Sequence, residues 1–224
     1  MRRLAAVLLL ATALAGCGGT KSGAPSLGTT NATTTVDSSG CHPIKTPYPE
    51  TRRAPKPKAA LDPSKTYDVT LDTSCGSFTF RLDVKDSPHT SASFVSLVRR
   101  GYFLGTIFHR IVPGFVIQGG DPTGTGTSGP GYTTVDRPPK GTKYTEGTVA
   151  MAKTQAEPAG TAGSQFFVVI GPEAATLPPE YAVLGHVTKG LDVAKRIGTF
   201  GNANDPSGSP SRLVVIEKAT VDVH

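Results

Sequence analysis

Two stretches of the chain place a polar side chain among large apolar ones, in a pattern that could bind a ligand. The first, residues 108–122, contains Arg110 within an apolar run, and the second, residues 163–167, contains Gln165 and Phe167. A guanidinium stays charged at every relevant pH and offers hydrogen-bond donors in a fixed geometry. It can therefore stabilise a lone pair or a partial charge that develops during a reaction, without acid/base or covalent chemistry.

The residue patterns of several other reactive sites are missing from the sequence. Its five histidines show neither H-x-x-x-H nor paired cysteine spacing, which argues against a metal site. No G-x-S-x-G supplies a hydrolase nucleophile. Residues 124–129 match the dinucleotide pattern G-x-G-x-x-G, but Pro130 and Pro138-Pro139 prevent the helix that would bind a pyrophosphate. We therefore expect no cofactor and no metal, and we interpret His109 as a core histidine.

Short apolar runs bounded by glycine or proline predict the elements that position these stretches. Residues 66–73 and 78–84 read as the two strands of a hairpin, because apolar residues alternate onto one face. Helices are predicted over residues 87–101 and 191–197. Further strands are predicted at residues 107–112, 115–118, 148–152, 165–170, 182–187 and 212–223. Many short strands with two helices indicate a mainly β fold, in which a closed, mainly antiparallel barrel leaves no edge strand free.

Positive charge is concentrated near the N-terminus. The 224-residue chain carries a formal net charge of +6, and all of this excess lies before Leu61. Residues 61–224 carry 15 basic and 15 acidic side chains. A domain with balanced charge argues against nucleic acid as a partner. With 26 glycines and 19 prolines, the chain is predicted to form one turn-rich domain with appendages rather than a helical bundle.

The first 16 residues have the pattern of a lipoprotein signal peptide. Arg2 and Arg3 precede a twelve-residue apolar run at residues 4–15, which is shorter than the roughly 20 residues that a bilayer crossing needs. The run ends in Leu-Ala-Gly before Cys17, which resembles a bacterial lipobox. An ordinary secretory peptide that happens to end near a cysteine is the alternative. Lipidation of Cys17 would hold the protein on the extracytoplasmic face of a bacterial membrane.

Residues 17–60 have the composition of a disordered tether. The segment is rich in Gly, Ser and Thr and then in Pro and Lys, so it cannot bury enough apolar surface to offset the entropy of ordering. Its basic residues could rest on anionic lipid or could simply keep the linker soluble. If Cys17 is lipidated, Cys41 and Cys75 remain, and they could form one disulfide or stay as two free thiols.

Residues 108–122, with the order Phe-His-Arg-Ile-Val-Pro-Gly-Phe-Val-Ile-Gln-Gly-Gly-Asp-Pro, and residues 163–167, with Gly-Ser-Gln-Phe-Phe, closely resemble the cyclophilin family of peptidyl-prolyl cis/trans isomerases. The resemblance extends from about Tyr67 to Val223. It implies a mainly β fold, a closed eight-stranded antiparallel β-barrel capped by two α-helices, within residues 61–224. The active groove is then expected on the outer surface of the barrel.

The resemblance also implies a role for individual residues. The family's catalytic arginine falls on Arg110, and Gln118 falls on the polar residue that holds the substrate backbone. The other residues implied to contact substrate, as walls of a proline pocket or as neighbours of the bound peptide, are Phe115, Val116, Ala152, Lys153, Gln165, Phe167, Leu177 and Tyr181.

The sequence departs from the family pattern at four of the positions around this groove. Tyr181 stands where many members have histidine, and Thr176 stands where many have tryptophan. Val116 replaces a common methionine, and Lys153 replaces a common asparagine. Because the tryptophan is missing, the resemblance implies weak cyclosporin binding, whereas the residues assigned to the chemistry are all present.

The function implied is acceleration of X-Pro isomerisation during the folding of exported proteins. A non-catalytic chaperone module that binds proline-containing segments is the alternative. The presence of Arg110 favours the enzyme, because holding a proline ring requires the apolar pocket but not that guanidinium. The expected partners are proline-containing segments of exported proteins and the membrane through lipid on Cys17, and the protein is expected to be a monomer.

Overall fold

Ten strands and two α-helices make up the regular structure of the computed structural model, which describes residues 36–205 and 207–224. The strands are β1 (Tyr67–Thr73), β2 (Gly76–Leu82), β3 (Arg110–Val112), β4 (Val116–Gly119), β5 (Thr134–Val135), β6 (Thr148–Met151), β7 (Thr161–Ala162), β8 (Phe166–Val169), β9 (Val183–Lys189) and β10 (Ile216–Val223). The helices are α1 (Pro88–Arg99) and α2 (Leu191–Gly198), with a 3-10 helix at Pro172–Thr176. The predicted signal peptide and Cys17 lie outside the described residues.

Eight of the strands form one antiparallel sheet in the order β10-β1-β2-β9-β6-β8-β4-β3, and β5 pairs with β7. This confirms the predicted mainly β fold with two helices. None of the helices within the described residues is both long enough and apolar enough to span a membrane.

The predicted closure of the sheet into a barrel is wrong, because β3 and β10 do not pair with each other. An isolated bridge between Ile107 and Val215 joins the two sides of the opening, together with backbone hydrogen bonds such as that from the N–H of Phe108 to the carbonyl of Val214. The N–H of Ile111 on β3 instead donates to the carbonyl of Gly208 at 2.8 Å. The three-residue β3 stops at Pro113, which has no N–H to extend a ladder, and a loop before β10 covers its edge.

On the side of the sheet that faces the main core, residues of four neighbouring strands are paired with one another in a row. Ile111, Ile117, Val168 and Val149 are in register on β3, β4, β8 and β6, and all four are fully buried. Because side chains alternate along a strand, the residues between them must point to the opposite face. The core therefore determines which residues of these strands are available on the outer face.

Residues 36–60, called the N-terminal arm below, contain no helix or strand but lie along the domain. The N–H of Glu50 donates to the carbonyl of Pro122 at 3.1 Å, and the N–H of Ala54 donates to that of Pro130 at 3.0 Å. The sequence predicted a disordered tether through residue 60, whereas the structure shows residues 36–60 hydrogen-bonded to the domain. Composition alone did not reveal these contacts because backbone groups of any residue type can make them.

A disulfide between Cys41 and Cys75 joins the arm to the turn between β1 and β2. Both cysteines are fully buried. The carbonyl of Cys75 accepts a hydrogen bond from Nη2 of Arg196 on α2 at 2.7 Å. Of the two alternatives that the sequence left open for these cysteines, the structure contains the disulfide, and it fixes the start of the arm to the hairpin and α2.

Candidate active site

The outer face of the sheet carries a row of paired residues that includes Arg110. Arg110 on β3 is paired with Gln118 on β4, Gln118 with Phe167 on β8, and Phe167 with Ala150 on β6. Paired residues on neighbouring strands lie on the same face and within a few ångströms of each other. The two motifs that are about 50 residues apart in sequence therefore meet on one surface, opposite the main core.

A cluster of apolar side chains lies beside this row; it is called the apolar pocket below, because the resemblance implies that a proline ring binds there. Its buried members pack into a cluster separate from the main core, and further apolar side chains pack against them while staying partly exposed. The buried members are Val116, Tyr144, Ala150, Phe167, Val169 and Ala174, and the partly exposed ones are Phe115, Ala152, Leu177, Tyr181 and Val183. All five apolar or aromatic residues implied for a proline pocket, together with Ala152, thus lie in one cluster.

Tyr144 is a member of this cluster that the sequence analysis missed. Its hydroxyl donates to the carbonyl of Tyr181 at 2.7 Å and accepts from the N–H of the same residue at 2.9 Å. The ring of Tyr181 in turn meets Phe167 edge to face, with centroids 5.4 Å apart. Burial raises the pKa of Tyr144 to about 12. Tyr144 therefore holds the Tyr181 side of the pocket as a neutral hydrogen-bonding group; its only signal in the sequence is a lone aromatic in a Gly- and Lys-rich stretch.

Arg110 is half-buried at the edge of the pocket, with its guanidinium carbon 5.8 Å from the centre of the Phe115 ring. Burial lowers the pKa of Arg110, and the neighbouring Tyr181 opposes this shift. A guanidinium nevertheless stays protonated in proteins. No ion pair forms between Arg110 and a carboxylate of the described residues. A permanent charge with uncommitted donors thus faces the pocket.

The stem of Arg110 is held by a close approach of the chain before β10. A Cβ added to Gly208 would lie 2.9 Å from Cγ of Arg110, and Gly208 has a φ of +72°, which favours glycine. Gly208 belongs to the loop that covers the edge of β3. The loop at the open edge of the sheet therefore helps to position the guanidinium.

Two glutamines form a polar strip beside the guanidinium. Nε2 of Gln118 donates to Oε1 of Gln165 at 3.1 Å, and Nε2 of Gln165 donates to the carbonyl of Ser128 at 3.0 Å. Asp121, fully buried, accepts hydrogen bonds from the N–H groups of Thr123 and Ser128 and so shapes the loop that presents this carbonyl. The strip orients Gln118 so that its Oε1 can accept an amide N–H from a peptide.

The side chain of Lys153 is buried and forms an ion pair, so it is not free to contact substrate. Only 3% of its side chain is exposed, and its Nζ lies 3.0 Å from Oε2 of Glu180. The same Nζ donates to the carbonyls of Thr154 and Glu157 at 3.2 and 3.1 Å. The ammonium is therefore used to fasten the turn after β6 to the residue before Tyr181. The resemblance implied that the backbone of Lys153 lies alongside the bound peptide, and this stays a prediction, because the buried position of the side chain does not test it.

Near neutral pH, the charges of Arg110, His109 and Tyr144 are expected to stay constant. Burial lowers the pKa of His109, which precedes Arg110, so this histidine stays neutral at pH 7 and above. Among the residues of the two described ranges, no group of three or more His, Cys, Asp or Glu is arranged to bind a metal ion. The site is thus suited to stabilising a distorted bond by a fixed charge.

A pH profile provides a test of this electrostatic description. We expect kcat/KM for isomerisation to stay constant within about twofold between roughly pH 7 and 9, because Arg110 does not titrate and His109 and Tyr144 remain neutral there. The measurement is the exchange rate of a short X-Pro peptide across this range. A bell-shaped profile, or a slope near tenfold per pH unit, would show that a proton is transferred in the rate-determining step.

Arg110 and Gln118 thus lie beside a partly exposed apolar cluster on the outer face of the sheet, and the comparisons assign this fold to a class of enzyme. The chain belongs to the cyclophilin-type peptidyl-prolyl cis-trans isomerases, whose family model matches residues 67–221. A relative from Arabidopsis thaliana, named peptidyl-prolyl cis-trans isomerase CYP18-2, is 41% identical over 140 residues, which are 61% of this chain and 84% of that protein. A Neurospora crassa protein, named peptidyl-prolyl cis-trans isomerase-like 1, is 39% identical over 157 residues, which are 69% of this chain and 93% of that protein.

Solved structures agree with this assignment. The crystal structure of a cyclophilin-type peptidyl-prolyl cis-trans isomerase from Cryptosporidium parvum matches with a TM-score of 0.63 at 31% identity, over 70% of this chain and 98% of that one. The same Cryptosporidium protein in the presence of the dipeptide Ala-Pro matches with a TM-score of 0.62, over 69% of this chain and 98% of that one. The protein is a peptidyl-prolyl cis-trans isomerase by these comparisons, and the exchange rate of an X-Pro peptide tests this against the alternative of a non-catalytic binding module.

Proposed function

We propose that Arg110 lowers the barrier to rotation about an X-Pro bond whose proline ring lies in the apolar pocket. Resonance opposes this rotation by about 18 to 20 kcal/mol, and the uncatalysed reaction takes tens to hundreds of seconds. No bond is broken in the process. When the amide twists, the proline nitrogen becomes pyramidal and regains its lone pair, which can accept a hydrogen bond from the guanidinium.

Arg110 accelerates the reaction because it interacts with this lone pair more strongly in the twisted state than in the planar one. Only such differential stabilisation raises kcat, and each 1.36 kcal/mol gives about a tenfold change in rate. The half-burial of Arg110 strengthens the interaction, since less water competes for the guanidinium. The observation that carries this proposal is the pairing of Arg110 with Gln118, and of Gln118 with Phe167, on one face of the sheet.

The other residues of the groove hold the substrate while its carbonyl rotates. Phe115, Phe167 and Tyr181 enclose the proline ring, and Oε1 of Gln118 accepts an N–H from the peptide backbone. Holding both sides of the bond fixes the axis of rotation and avoids the entropy cost of aligning it in each turnover. The Ala-Pro dipeptide studied with the Cryptosporidium protein supports a proline-containing peptide as the ligand here too. The exchange rate of Arg110→Ala tests the assignment.

We further propose that the protein acts on exported proteins and is held at a bacterial membrane by lipid on Cys17. The lipobox-like sequence before Cys17 supports this location. The Cys41–Cys75 disulfide supports it independently, because structural disulfides are stable mainly in oxidising compartments outside the cytoplasm. In such a compartment, X-Pro isomerisation is slow enough to be a rate-limiting step in the folding of newly exported chains.

Replacement of Cys17 tests the anchoring. Cys17→Ser is expected to move the protein from the membrane fraction to the soluble extracytoplasmic fraction and to abolish incorporation of labelled fatty acid, because the thiol that carries the lipid is gone. Purified wild type and Cys17→Ser should isomerise a short peptide at equal rates, since Cys17 lies before the domain. Membrane retention or lipid labelling of Cys17→Ser would contradict the proposed anchor without affecting the enzymatic assignment.

A further inference from the structure

A second cavity adjoins the proline pocket and is lined in part by the N-terminal arm. Its volume is about 730 Å³. It shares Gln118, Ala152 and Gln165 with the groove described above. Its remaining walls come from the loop at residues 126–133 and from Lys153, Thr154, Glu157, Gly163 and Ser164. Thr51 and Arg53 of the arm complete the lining. A peptide whose proline lies in the apolar pocket therefore has its neighbouring residues next to this cavity.

The arm is anchored on both sides of Arg53. Nη1 of Arg52 donates to the carbonyls of Tyr102 and Leu104 at 2.6 and 2.7 Å, and the N–H of Ala54 donates to the carbonyl of Pro130 at 3.0 Å. Successive side chains of an extended segment point in opposite directions. Arg52 is used to attach the arm, whereas Arg53 contributes to the lining of the cavity.

The side chain of Arg53 crosses the loop at Gly131. A Cβ on Gly131 would lie 2.6 Å from Nη1 and 2.8 Å from Cδ of Arg53, and Gly131 has a φ of +90°. Because residue 131 is glycine and has no Cβ, the guanidinium of Arg53 can lie against its backbone at the rim of the cavity. Packing against Gly131 therefore fixes the position of the Arg53 charge, even though the side chain is exposed.

Arg53 is the cation of this cavity that is available to a ligand. It forms no ion pair with any residue in the described ranges. The other lining cation, Lys153, is already paired with Glu180. The lining carboxylate, Glu157, accepts hydrogen bonds from the N–H and hydroxyl of Thr154 on the other rim. An acidic ligand side chain would therefore be attracted to the Arg53 rim and repelled from the opposite one.

We propose that Arg53 is a specificity-determining residue that favours substrates with an acidic side chain close to the X-Pro bond. The arm lies outside residues 67–221, which match the family model, so this preference is a property that the arm adds to the isomerase domain. The inference rests on the proposed function, because the proline must lie in the pocket for its neighbours to reach Arg53.

Paired peptides test the proposal in the full chain. In each peptide, one glutamate is placed at one of the three positions before or after the X-Pro pair, and a glutamine peptide serves as its partner. At one position at least, glutamate should give a kcat/KM about two- to fivefold higher than glutamine, the range expected for an exposed charge pair. Arg53→Gln should abolish the difference, and Arg53→Glu should reverse it so that a lysine peptide is preferred.

Lys58→Gln is the matched control. It removes one positive charge from the same arm at an exposed position that does not line the cavity, so the glutamate preference should remain. Equal rates for glutamate and glutamine peptides at every position would overturn the proposal, as would a preference that persists in Arg53→Gln. Turnover of the glutamine peptides tests the isomerase assignment separately. If they are not turned over, the ratio of glutamate to glutamine peptide Kd values still decides the role of Arg53.

Discussion

Replacing Arg110 with alanine is expected to lower kcat/KM for exchange of a short X-Pro peptide by about 100- to 1000-fold, the usual effect of losing one preorganised donor at a developing charge. The guanidinium is half-buried beside Phe115 and has no carboxylate partner within the described ranges, so nothing nearby can replace it. The apolar pocket remains in this variant. Peptide affinity should therefore fall much less than turnover, because the lost interaction belongs to the twisted state.

The measurement combines NMR exchange rates with a peptide titration. Arg110→Lys should retain an intermediate rate, since it keeps the charge but loses the planar set of donors. Arg99→Ala, at an exposed position at the end of α1, provides the control and should isomerise like the wild type. If Kd for Arg110→Ala rises by the same factor as kcat/KM falls, Arg110 only binds the peptide. If the rate is unchanged, the mechanism proposed for Arg110 is wrong.

Removing the disulfide with Cys41→Ser and Cys75→Ser together should lower the free energy of unfolding by about 3 to 4 kcal/mol. The two cysteines are separated by 34 positions. Opening a loop of this size raises the conformational entropy of the unfolded chain, which stabilises the unfolded state by that free energy. Hydrogen bonds along the arm do not compensate, because they break together with the fold. Denaturant titration with a two-state fit measures the loss.

Reduction of the wild type is the matched comparison for this variant. With excess reductant, the wild type should lose the same stability, whereas the double-serine variant should not respond. Exchange of a neutral X-Pro peptide should stay near the wild-type rate, because Cys41 and Cys75 pack in the main core rather than in the pocket cluster. A loss below about 1 kcal/mol would contradict the prediction and would mean that the unfolded chain keeps residual structure that restrains it without the disulfide.

Much of the site could be predicted from sequence because strand geometry is local. Apolar Ile111 and Ile117 alternate with Arg110, Val116 and Gln118, so burial of the first pair places the others on the outer face. The hairpin, both helices and the strands of the eight-stranded sheet were predicted from such local patterns, whereas the two-residue strands β5 and β7 were not predicted. The family motifs then indicated which residues of that face would contact a proline.

Features that depend on distant contacts were not visible in the sequence. The edge of β3 meets the loop at Gly208 instead of β10, and the hydroxyl of Tyr144 reaches the backbone of Tyr181 across 37 positions of the chain. Lys153 turns inward because Glu180 is close to it in space. Each of these outcomes follows from where a second segment lies, and residue type and period carry no information about that position.

The sequence by itself indicated the family and the alternation that places Arg110, Gln118 and Phe167 on one face, and it predicted which residues would contact a proline. Only the tertiary structure decided that the sheet stays open and that residues 36–60 are fastened to the domain, with Arg53 beside the groove. The physical reason is the range of the interactions involved. Side-chain direction along a strand is set by neighbouring residues, whereas strand closure and arm attachment depend on hydrogen bonds between segments far apart in the chain.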